Sequence, residues 1–196
     1  MNRTHNSSVA DARERFEAVA MPLAPAIYGL ALRLTRHRED AADLAQETLL
    51  RAYRTFASFV PGTNAKAWLF TILWSIVSNA RDKKSRSWVT VSIEEIELRF
   101  DREFEIADYR GYFETINNAG LDWRSHDVAK ALEKLPEEFR AAVLLVDVEE
   151  LSYEEAAAVI ACPVGTLRSR LFRGRKALAV ELHAFALRMG YVDREG

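Results

Sequence analysis

The segment Ser152–Lys176, SYEEAAAVIACPVGTLRSRLFRGRK, constrains the fold of this chain more than any other stretch. Ser152 and Glu155 stand at the S-x-x-E spacing of a capping box, where hydroxyl and carboxylate satisfy the free amides of a helix start. The helix they open is small and apolar on its inner side (Ala156, Ala157, Ile160) and is expected to end near Ile160. Ala161-Cys162-Pro163 is a short break. A second helix follows from about Val164, anchored by Leu167 and Leu171 on one face. Two short helices about a tight turn make a helix-turn-helix. The second carries Arg168, Arg170, Arg173, Arg175 and Lys176 with no acid between Val164 and Lys176. A helix of that width fits the DNA major groove, where arginine bridges guanine O6 and N7. Thr166 and the amides at the helix start suit a phosphate. The competing reading of the same arginines is a solvated face.

The rest of the chain also reads as helix, with almost no strand pattern. Arg15 to Leu34 carries Phe16, Val19, Leu23, Ile27, Leu30 and Leu34 at three- and four-residue steps. Pro22 and Pro25 should break or kink that run. A second helix is expected from Asp40, as N-cap, to about Phe56, burying Ala45, Leu49, Ala52, Tyr53 and Phe56. Pro61-Gly62-Thr63-Asn64 signals a turn. A third helix should run from about Ala65 to Lys84 on a stripe of Leu69, Ile72, Leu73, Ile76 and Ala80. Toward the C-terminus, Asp127–Leu135 and Pro136–Val148 read as two more helices, and the helix from Val164 reaches Leu178 or Leu187. The fold class expected is all-α: an N-terminal helical bundle, residues 1–86, and a C-terminal helix-turn-helix bundle, residues 126–196, joined by a long acidic linker, 87–125.

The net charge of −2 conceals a segregation. Lys66–Trp88 is net +4 and Val164–Lys176 net +5, whereas Ser92–Asp122 is net −6. Two basic patches flanking an acidic middle fit two nucleic-acid surfaces. The single cysteine, Cys162, rules out an internal disulfide framework. His5, His37, His126 and His183 lie far apart, so no metal site is expected. No apolar run approaches the roughly 20 residues of a membrane span, and Met1–Asp11 is polar, so a cytoplasmic protein is expected.

The run SYEEAAAVIACPVGTLRSRLFRGRKAL resembles the C-terminal domain of bacterial extracytoplasmic-function (group four) sigma factors, whose typical string is C-P-x-G-T-x-(R/K)-S-R-x-x-R-x-(R/K), and Cys162, as part of that motif, reads as a small buried turn residue. Leu135-Pro136-Glu137-Glu138-Phe139-Arg140 resembles the L-P-x-x-x-R entry to that domain. The resemblance implies that this helix reads the −35 promoter element. The contacts then fall on Thr166, Arg168, Ser169, Phe172 and Arg173, with Arg170, Arg175 and Lys176 as backbone or packing partners. Asp40–Ala52, DAADLAQETLLRA, is similar to the family helix that docks on the clamp helices of the largest polymerase subunit. Asp43, Glu47, Leu50 and Arg54 form one stripe there, with Gln46 and Arg51 beside it. Ala67–Arg86 resembles the helix that meets the −10 element, which implies DNA contacts at Trp74, Ser75, Asn79, Lys83, Lys84 and Arg86. Aromatic rings stack on unpaired bases and terminal basic residues hold the strand, and the turn between Phe56 and Ala65 is where the family builds a pocket for a flipped base. Trp68 and Phe70 read as core. Ser75 stands where the family often has asparagine, with Asn79 one turn later. In the family the linker threads the polymerase's product-RNA path.

The resemblance thus implies a promoter-recognising initiation factor without catalysis or cofactor. Its expected partners are core RNA polymerase, promoter DNA and an anti-sigma factor, with no small-molecule substrate. The main competitor is a free-standing helix-turn-helix regulator, which needs a dimer interface or ligand domain. An enzyme ranks third, since no phosphate-binding glycine loop, metal cluster or nucleophile motif stands out.

Overall fold

Pro22 and Pro25 decide how the N-terminal half begins. In the computed structural model, which describes residues 3–84, 122, 123 and 125–190 and only the backbone of 3–10, 80–84 and 184, the run expected from Arg15 to Leu34 divides. Helix α1 spans Arg3–Ala20, a 3₁₀ turn Met21–Leu23, and α2 Ala24–Thr35. Each proline sits in a first turn, where its missing N–H has no intrahelical acceptor to lose. Arg36 closes α2 in the left-handed region, φ 62°, its N–H donating to the Leu32 carbonyl at 2.8 Å.

Helix α3 spans Arg38–Thr55. It starts two residues before the expected Asp40. The N-cap is His37, without a side-chain cap, and Asp40 lies with Glu39 in the first turn, where carboxylates favour the exposed amides. Helix α4 spans Ala65–Lys84. Asn64 caps it, Oδ1 accepting from the N–H of Lys66 at 3.1 Å and of Ala67 at 3.3 Å. Helices α2, α3 and α4 pack on one another, and α1 lies against α3 and α4. Their core is Phe16, Ile27, Leu30, Leu44, Leu69, Phe70 and Leu73, all buried. Within residues 11–35 an 18-residue window reaches a mean hydropathy of 1.4, enough by length and composition for a membrane span, which amends the expectation that no stretch comes near one. The prolines and the 3₁₀ turn interrupt that stretch, and Phe16, Ala20, Ile27, Leu30 and Ala31 are buried among the helices.

Four further helices follow in the chain: α5, His126–Lys134; α6, Glu137–Val143; α7, Tyr153–Val159; and α8, Val164–Met189. Ser125 caps α5 by accepting from the Val128 N–H. The helix expected over 136–148 is α-helical only to Val143. Leu144–Val148 forms a wider π turn, with the Glu149 N–H donating five residues back to Leu144 at 2.9 Å. Helix α8 packs on α5 and α6. Among the described residues there is no strand. By internal packing the chain divides into two units, 1–87 with 154–161 and 88–153 with 162–196. The linker expected at 87–125 lies almost wholly outside the described residues.

Gly174 sets how closely α8 approaches α6. A Cβ there would stand 2.8 Å from Val143 Cγ2 and 2.9 Å from the Phe139 carbonyl oxygen. The oxygen belongs to a backbone that cannot swing aside. Gly174→Ala is therefore expected to destabilise by about 1–2 kcal/mol, overpacking outweighing the better helix propensity of alanine. A thermal melt tests this, and a raised melting temperature would show the approach to be looser.

Candidate nucleic-acid interface

Helix α8 begins at a turn built from the A-C-P break. Ala161 adopts φ 52°, a left-handed conformation, and Pro163 is the N-cap of α8, its carbonyl accepting from the Leu167 N–H at 3.0 Å. Cys162 is half-buried rather than buried, because the turn holds it at the surface. From there the 3.6-residue period sorts α8 into two sides. Leu167, Leu171, Gly174, Ala177 and Leu178 are buried. Arg168, Ser169 and Phe172 are exposed, and Thr166, Arg170, Arg173 and Lys176 half-exposed. Phe172 is 47% exposed, unusual for a phenylalanine.

The five cations do not play one part. Arg175 turns inward and grips Asp147 with two bonds, Nε to Oδ2 at 3.1 Å and Nη2 to Oδ1 at 2.5 Å. The Asp147 side chain is only 8% exposed. That bond raises the Arg175 pKa despite partial burial, so the guanidinium stays charged. Arg170 pairs with Glu138 of α6 at 2.9 Å. Arg168 lies over the Tyr153 ring, 5.5 Å from its centroid. The Ser169 hydroxyl donates to the Thr166 carbonyl at 2.9 Å. Arg168, Ser169 and Phe172 are exposed and Arg173 half-exposed on one side of α8, a surface of a size and charge that enter a major groove.

A second basic stretch lies on α4. Ser75 and Asn79 are exposed one turn apart. The Ser75 hydroxyl donates to the Ile72 carbonyl at 2.7 Å. Trp74, expected among the −10 contacts, is half-buried. The side chains of Lys83 and Lys84, and the whole of Arg86, lie outside the described residues. Phe70 is fully buried, whereas Trp68 is half-buried against Phe59 and Phe56, at 5.1 and 6.2 Å between centroids. Phe56 in turn meets Phe16 edge-on at 5.4 Å. An aromatic cluster thus ties the turn after α3 to α1 and α4.

On α3, Asp43, Gln46, Leu50 and Arg54 are exposed, Leu50 at 51%. Glu47 and Arg51 are half-exposed and joined, Nε to Oε1 at 2.6 Å. Tyr53, assigned by period to the buried side, is 41% exposed and packs its ring edgewise on Phe16 at 5.2 Å. It borders an open groove of about 450 Å³ between α1 and α3, lined also by Arg13, Phe16, Glu17, Gln46, Leu49 and Leu50. Sequence reasoning missed the α1 side of this groove, because α1 was expected to begin only at Arg15. It also missed Asp147 and Tyr153. Among the described residues, no group of three His, Cys, Asp or Glu side chains gathers to hold a metal ion.

Comparison with known proteins agrees with this geometry. Residues 20–87 match the family Sigma-70 region 2, and residues 125–178 match Sigma-70, region 4. The chain is 37% identical over 164 residues to the ECF RNA polymerase sigma factor EcfG of Rhodopseudomonas palustris, covering 81% of this chain and 80% of that one. It is 32% identical over 170 residues to the RNA polymerase sigma-H factor of Pseudomonas aeruginosa, covering 85% of each. Among solved structures it is similar to the sigma factor RpoE in complex with the anti-sigma factor NepR from Bartonella quintana. That match has a TM-score of 0.63 and 28% identity, and covers 87% of this chain and 98% of that one.

Proposed function

Because the chain belongs to the extracytoplasmic-function sigma factors, which direct promoter-specific transcription initiation, we propose a division of that work among its helices. Asp43, Gln46, Glu47, Leu50, Arg51 and Arg54 on α3 hold core RNA polymerase. Trp74, Ser75, Asn79, Lys83, Lys84 and Arg86, on α4 and just beyond it, take the −10 strand. The face of Thr166, Arg168, Ser169, Phe172, Arg173 and Lys176 reads the −35 duplex. Arg170 belongs with the residues that seat α8, since Glu138 holds it. The single observation that carries this reading is the segregation on α8: the face turned away from the core keeps Arg168, Ser169 and Phe172 exposed, while Arg170 and Arg175 are paired with acids.

Two weak DNA contacts on one chain become specific through effective concentration once polymerase fixes them in register. The chain works in the cytoplasm and performs no catalysis itself; the polymerase makes the bonds. An anti-sigma factor is the expected antagonist, by analogy with the NepR-bound relative, and it would act by covering these same faces. Arg173→Ala should weaken −35 recognition by about 1–3 kcal/mol. Open-complex formation by holoenzyme on promoters with intact and substituted −35 elements measures it. Equal preference by wild type and variant would remove Arg173 from the reading face.

A further inference from the structure

Tyr153 is the first residue of α7, half-buried, and it meets α8 at two places. Its ring lies under the Arg168 guanidinium at 5.5 Å. Its phenol end lies near the Arg175 side chain and favours the charged guanidinium, which Asp147 holds by two bonds. Arg168 and Arg175 are seven residues apart, two turns along one side of α8. A single tyrosine therefore spans an arginine that is fixed inward and one that is exposed. The half-buried seat of the ring at the start of α7 fixes its position. The exposed arginine is a long side chain that would otherwise sample many rotamers before meeting a base or phosphate.

Resting on the assignment of Arg168 to the −35 face, we infer that Tyr153 is a positioning residue for promoter specificity: its anchored ring holds the Arg168 guanidinium in the orientation that reads duplex DNA. The ring face carries the negative quadrupole that attracts a guanidinium, and the planar group can lie flat on it while keeping its edge N–H donors free. The interaction needs the ring. The hydroxyl is dispensable to it, since Asp147 secures Arg175 without help from Tyr153.

The test uses full-length protein assembled with core RNA polymerase. The probe is a promoter fragment selected by that wild-type holoenzyme from its own genome, paired with a copy whose −35 element is replaced. The readout is the ratio of open-complex formation on the two fragments. Tyr153→Leu should lower this ratio by about 2- to 5-fold, the worth of an exposed cation–π contact. Tyr153→Phe should retain it. In an Arg168→Ala background, Tyr153→Leu should lower it no further. A Tyr153→Leu ratio equal to wild type would overturn the inference. So would an equal loss on both fragments with a lowered melting temperature, the mark of a merely structural role, or a Tyr153→Phe variant as defective as Tyr153→Leu. An Arg168→Ala variant with an unchanged ratio would overturn both this inference and the assignment of Arg168. Failure of the wild-type holoenzyme to select any promoter would instead sink the functional reading beneath them.

Discussion

Phe70→Ala is expected to destabilise the N-terminal helices by about 3–5 kcal/mol, the cost of emptying a filled aromatic site in a helical core. Phe70 is fully buried, and Leu69, Leu73 and Ile27 are buried to the same degree. The Lys66 amine lies over the ring, 5.7 Å from its centroid. A loss of this size is a large share of the stability of an ordinary domain. Urea unfolding of the full-length protein, followed by far-ultraviolet circular dichroism, measures it. The alternative use of an aromatic on this helix is stacking on melted DNA. Phe70→Ala with undiminished stability but failed promoter opening would move Phe70 from the core to that role.

Asp147→Ala should cost about 2–3 kcal/mol in the C-terminal helices, because it removes two charge-assisted bonds and strands the Arg175 guanidinium in a partly covered site. Asp147 is the more buried partner, at 8% exposed against 30% for Arg175, which places the effect below that of a fully buried pair. The π turn Leu144–Val148 carries Asp147 to this position, and the pair ties that turn to the middle of α8. Asp147→Asn keeps the size and some hydrogen bonding and should lose less. Equal stability of wild type and Asp147→Ala by denaturant titration would show that solvent compensates the arginine and that α8 is seated by its leucines alone.

Much of this was legible in the chain. Helical period alone separated Leu167 and Leu171, which are buried, from Arg168, Ser169 and Phe172, which are exposed, since an amphipathic helix turns its apolar stripe to the core. The ends of α4 came out at Ala65 and Lys84, as the turn signal and basic terminus indicated. The start of α3 did not, because His37 ends the preceding loop without a side-chain cap and the acids behind it look like a cap signal. Tyr53 was placed inside because period counts a tyrosine as apolar, yet its ring covers Phe16 from the surface. The partners of Arg170 and Arg175 were invisible for a different reason. Glu138 and Asp147 lie 32 and 28 residues away in sequence, and only the packing of α8 on α6 brings them together. The π turn left no local signature, since Leu144–Val148 reads as ordinary helix.

The measurement that bears most directly on the central claim is transcription reconstituted from two purified components, this protein and bacterial core RNA polymerase, on promoter fragments drawn from its own genome. Transcripts that start at defined promoters and require both components are the predicted result. Absence of binding to core polymerase, together with tight binding of the isolated protein to duplex DNA, would contradict it and identify a free-standing helix-turn-helix regulator.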